Sequence, residues 1–187
     1  MPAFTELVAA AAAAGVRPDV FLVDGCGGLH PRRCGSATHL GVEAGVRTIG
    51  VAKTLLRVGA LREPAVRAAM GRRRRRHSDL GLDLGGVCMP LRSDEGEVLG
   101  AAVCSPGTSR PIYVSAGNLV SLPTAVEVVL RCCRYRVPEP IRLADQRSRA
   151  AAQRLGEERM HGAEEAEAMH QVSAAAAARR RLECLGC

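Results

Sequence analysis

Two short apolar runs, each closed by a charged residue, constrain this chain most. VFLV, Val20 to Val23, stops at Asp24; TIGVA, Thr48 to Ala52, stops at Lys53. Such runs between turn formers read as buried strands. Between them Ser36 to Ala44 has a helical pattern that ends at Gly45. A strand, a crossover helix and a second strand imply a parallel pair inside an α/β layer fold. The carboxyl ends of such strands form the open edge where sites are built. Asp24, backed by Gly25, Gly27 and Gly28, therefore stands out, although an Asp-Gly pair also serves simply to make a turn.

Residues 3–14 read as an Ala-rich helix closed by Gly15. GVCMPL (86–91) and EVLGAAVC (97–104) read as a hairpin around Ser93 to Gly96, and PIYVSA (111–116) as a further strand. Ser121 is the expected N-cap of a helix with Pro123 in its first turn, running to about Arg134. Pro138-Glu139-Pro140 opens the last helical segment. Residues 57–85, with five consecutive arginines (Arg72 to Arg76), lack clear periodicity and are expected to form a solvated loop or partly disordered insertion. Beyond Arg149 the composition falls to Ala, Glu and Arg. The expected organisation is one domain over 1–150 and a tail or lone helix over 151–187.

The net charge of +7 is almost wholly arginine, for Lys53 is the only lysine. That balance suits a polyanionic partner, and equally a domain with a basic tail. Cys88, Cys104, Cys132 and Cys133 lie in apolar runs, where free cysteine acts as a small buried hydrophobe. The Ala-rich start is no secretory signal, and no run is long and apolar enough for a membrane span. An intracellular, reducing location is expected.

The string DGCGGLHPRRCGSATHLGVEAGVRTIGVAK, Asp24 to Lys53, resembles the signature of the endonuclease V family. The resemblance continues through RPIYVSAG (110–117), SLPTAVE (121–127) and YRVPEPIRLAD (135–145), and the chain is similar to the C-terminal portion of an animal-like member. It implies an RNase H-like fold, a mixed β-sheet flanked by helices, with the first strands missing ahead of Met1. It also implies Mg²⁺ or Mn²⁺ as cofactor and hydrolysis of a phosphodiester 3′ to inosine in single-stranded RNA or DNA. A monomer in the cytoplasm and nucleus or nucleolus, with no membrane partner, completes the expectation.

Carried over by position, the resemblance makes Asp24 the metal-binding aspartate and sets His30 and Lys53 near the scissile phosphate. Gly25, Gly35 and Leu56 border the pocket for a base flipped out of the strand. Arg32 and Arg33 either touch the nucleic-acid backbone or pair locally. A first-strand aspartate and a glutamate, which the family also uses, do not occur in this sequence. Asn118 stands where the family has histidine, and an amide cannot take a proton from water. Two readings stay open: an inosine-directed endonuclease, or an inactive nucleic-acid-binding remnant of one. Cys184 and Cys187 have zinc-like spacing without a second pair nearby; His77, His161 and His170 read as solvated. Arg72–Arg76 suits a nucleic-acid patch or an inserted segment.

Overall fold

The computed structural model describes residues 2–79 and 86–156. They belong to two compact units, Met1–Arg142 and Leu143–Cys187. In the first unit the order is α1 (Pro2–Ala13), β1 (Phe21–Asp24), α2 (Ser36–Ala44), β2 (Thr48–Ala52), α3 (Glu63–Asp79), β3 (Val87–Arg92), β4 (Val98–Cys104), β5 (Ile112–Asn118) and α4 (Leu122–Cys132). In the second unit residues 143–156 are helical, and Arg149 closes an i,i+4 pair on Asp145 at 2.9 Å. The tail from 157, with Cys184, Cys187, His161 and His170, lies outside the described residues, as does the His77 side chain.

One five-stranded sheet runs β1-β2-β5-β4-β3. β1 and β2 are parallel; the other neighbours are antiparallel. The sheet is thus mixed, as expected. β2 is buried along its whole length, which explains why TIGVA is a continuous apolar run without alternation. β5 divides its side chains between two cores. Ile112 and Val114 join Val129 and Ala125 of α4 on one face. Tyr113 joins Leu29, Ala102, Val66 and Met70 on the other. Pro90 lies in β3, an edge strand, where its missing N–H is tolerated.

α2 begins after Gly35 and ends at Gly45, whose φ of 64° is the left-handed conformation that a C-cap requires. Ser121 caps α4, its hydroxyl accepting from the Thr124 N–H. β5 runs two residues further than expected, to Asn118, and α4 stops at Cys132. Cys104 is buried, whereas Cys88, Cys132 and Cys133 are only half-buried.

The expected loop over 57–85 is largely wrong. Val58 and Leu61 form an isolated bridge, and 63–79 are α3; residues 80–85 lie outside the described set. Val66 and Met70, one helical turn apart, are both buried in the Tyr113 core. Arg72 to Arg76 are all exposed. Alanine, methionine and arginine are strong helix formers, so two apolar anchors suffice to dock a helix whose remaining surface is charged.

Candidate active site

Asp24 is the last residue of β1 and pairs in register with Val51; Lys53 directly follows β2. Because the strands are parallel, both side chains leave the sheet at the same edge. Lys53 Nζ donates to Asp24 Oδ2 at 2.7 Å, with the side chains 34% and 46% exposed. A carboxylate and an ammonium in this geometry offer adjacent negative and positive contacts to an incoming ligand.

The glycine loop after Asp24 folds back over β2 and β5. Gly25 N–H donates to Val51 O at 3.2 Å, Gly28 N–H to Ala116 O at 2.9 Å and Gly35 N–H to Gly27 O at 3.0 Å. Gly27 N–H donates to the buried Ser115 hydroxyl at 2.8 Å. The N–H groups of these glycines are therefore paired within the protein and not free for phosphate or base edges. A loop pressed against a sheet must pair its donors internally. Their role is close approach: a Cβ on Gly35 would lie 2.2 Å from Cys26 O, and one on Gly50 2.3 Å from Gly27 N. A Cβ on Gly25 would lie 2.2 Å from the Ser36 hydroxyl.

His30 stands in a tight turn. Its Nδ1 accepts the Arg32 N–H at 3.2 Å, and its carbonyl accepts the Arg33 N–H at 2.9 Å. Arg33 adopts φ 58° and sends its guanidinium to Glu97 at 3.1 Å and Glu95 at 3.7 Å. Arg33 is thus paired locally with two carboxylates. Arg32 is exposed, and Leu56, three residues after Lys53, is 43% exposed.

Asn118 does not join this group. It pairs with Thr48 at the opposite end of β2, on the order of 13 Å along the strand from Ala52. Its amide donates to Gly41 O at 2.8 Å and Val46 O at 3.1 Å, tying the end of α2 to β5. Asn118 is here a structural clasp at the end of β2 away from Asp24 and Lys53.

Two residues of the site were missed from sequence. Arg136 donates through Nη2 to Lys53 O at 2.7 Å and Pro111 O at 3.0 Å, and through Nε to Arg110 O at 3.3 Å. Burial, then the nearby Arg110, hold its guanidinium below the usual arginine value. Ser115 anchors the glycine loop from beneath. Both lie in segments that carry the family resemblance, but only the folded chain shows what they touch.

Among the described residues no group of three His, Cys, Asp or Glu is gathered that could hold a metal ion. A hard divalent ion wants several oxygen ligands, so the described donors do not form a complete site for Mg²⁺ or Mn²⁺. No described helix is long and apolar enough to cross a membrane.

The family model for Endonuclease V matches residues 1–146. The chain is 46% identical over 133 residues to mouse Endonuclease V, covering 71% of this chain and 37% of that protein. It is 44% identical over 136 residues to the human protein, covering 72% and 45%. It is thus similar to less than half the length of each of these two relatives. The crystal structure of human ENDOV superposes with a TM-score of 0.73 at 38% identity, covering 83% of this chain and 63% of that one. Endonuclease V of Ciona intestinalis, solved with a 24mer DNA containing an inosine followed by a ribo-adenosine, gives a TM-score of 0.71 at 39% identity, covering 81% and 61%. With the same family matched by sequence and by fold, the chain belongs to the endonuclease V family.

Proposed function

We propose that this chain acts on inosine-containing single-stranded RNA or DNA, as part of a metal-dependent endonuclease cutting 3′ to the inosine. The observation that carries the reading is the Asp24–Lys53 pair at the end of two parallel strands, 2.7 Å apart and open to solvent. Lys53 would contact a phosphate oxygen and Asp24 would be one ligand of Mg²⁺ or Mn²⁺, an ion that activates water and stabilises charge on phosphorus. His30 would sit beside the strand, with Arg32 on its backbone. Gly25, Gly35 and Leu56 would shape the base pocket by their packing and not through free N–H groups. The nuclease portion is read as residues 1–150, monomeric and acting in the cytoplasm and nucleus or nucleolus, with 151–187 as a tail.

The absence of a three-ligand group among the described residues favours a second reading, in which this chain binds inosine-containing strands without turnover. Incubation with inosine RNA and DNA in Mn²⁺ separates the two. The second reading gives inosine-selective binding with no nicking. Metal-dependent nicking that vanishes in Asp24→Ala would establish the first reading; equal binding of strands with and without inosine would overturn both.

A further inference from the structure

An open cleft lies between α3 and the segment leading into β5, lined by Glu63, Pro64, Arg67 and Arg110. The Tyr113 hydroxyl beneath feels Glu63, Arg67, Arg136 and Arg110 together, so these four charges share one neighbourhood. Three guanidiniums there face one carboxylate. Glu63 is already turned inward, its Oε2 accepting the Leu55 N–H at 3.3 Å. Arg136 is committed to backbone carbonyls. Among the described residues neither the Arg67 nor the Arg110 side chain has a hydrogen bond or ion pair. Two exposed forked donors thus stand beside a third like charge, with Glu63 as the one carboxylate among them, an arrangement that favours a bound anion.

The cleft is joined to the candidate active site. Arg136 bridges Lys53 O and Arg110 O through a single guanidinium. The backbones of Lys53 and Arg110 are therefore neighbours across one side chain.

We propose that Arg67 and Arg110 form a phosphate subsite that holds the nucleic-acid backbone beside the Asp24–Lys53 position. The subsite rests on the reading of the preceding subsection, and it reads backbone charge, not base identity.

The test is binding of the full chain to a labelled single-stranded RNA, with and without inosine, across a salt series. Each phosphate contact on a single strand contributes roughly 0.7 to the slope of log affinity against log salt. Arg67→Gln with Arg110→Gln should lower the slope by about 1.4 for two contacts and weaken both RNAs equally, by about tenfold at moderate salt. Arg67→Lys with Arg110→Lys should retain most of the slope. As a charge-matched comparison, Arg72→Gln with Arg76→Gln should change it less. An unchanged slope in the Gln pair, an equal loss in the Lys pair, or an equal loss in the Arg72/Arg76 pair overturns the subsite. A parent chain that binds both RNAs equally fails the inosine reading, yet the slope difference still decides the subsite. A parent chain that binds neither RNA overturns both.

Discussion

The two ends of β2 do opposite work with similar residue types. At the Thr48 end, Thr48 is fully buried and its hydroxyl donates to Ala37 O at 2.7 Å. The Asn118 amide beside it satisfies two carbonyls around the C-terminus of α2. At the Ala52 end, Lys53 and Asp24 pair across the mouth of the sheet and stay about one-third to one-half exposed. Polar groups that are buried and internally satisfied hold a fold together, whereas a pair left in water contributes little to stability and is available to a ligand. Four residues, Ile49 to Ala52, separate Thr48 from Lys53.

The largest expected effect comes from reversing the buried end. Asn118→Asp sets an acceptor against the Gly41 and Val46 carbonyls and should cost about 2–3 kcal/mol, roughly 4–12 °C in Tm. The defect should shrink on acidification, because a protonated carboxyl can donate again. Thermal melts at several pH values check this; a Tm within a degree or so of the parent at neutral pH would mean that the clasp carries no weight.

Arg136 is the link at the open end. Arg136→Ala removes the donors to Lys53 O, Pro111 O and Arg110 O. It should cost about 2 kcal/mol and weaken strand binding as well, since Lys53 loses its backbone anchor. Denaturant titration and RNA binding, measured together, should show both losses; a stability loss alone would detach Arg136 from the site.

Tyr113 lies below that end, paired in register with Ala52. Its hydroxyl is buried and has no partner among the described residues, and burial, then Glu63, push its pKa up to about 12 from an ordinary value of 10. With the folded pKa raised, this stability is fully present below about pH 10 and lost as pH rises through about 12. Tyr113→Phe should shift stability by at most about 1 kcal/mol at neutral pH and flatten the fall in stability between pH 10 and 12. A steep loss at neutral pH would reveal a partner for the hydroxyl.

The smallest stability change belongs to the exposed pair. Asp24→Asn should alter unfolding by less than about 1 kcal/mol while changing binding of metal or inosine strands. A larger thermal defect than in Asn118→Asp would invert the comparison.

Much of the frame is legible in the sequence. β1, α2 and β2 fall within a residue of where apolar runs and glycines set them, because strands buried on both faces leave an unbroken apolar signature. Asp24 stood out from the same pattern, whereas Lys53 was set near it only by the family resemblance. α3 was illegible as a helix because its two buried anchors, Val66 and Met70, are diluted by exposed arginines. Glu63 and Pro64 in its first turn were the overlooked start signal.

Local sequence alone therefore determined the parallel pair, the family and the charged residues at the open sheet edge, since each is written in periodicity and in an ordered run of motifs. Tertiary structure alone decided which polar groups remain available. It pairs the N–H groups of Gly25, Gly27, Gly28 and Gly35 inside the protein, turns Asn118 toward α2 and gathers Arg67, Arg110 and Arg136 from distant segments around Tyr113. The reason is physical: a residue's type sets what it can bond, but burial and the nearest competing donor or acceptor decide what it does bond.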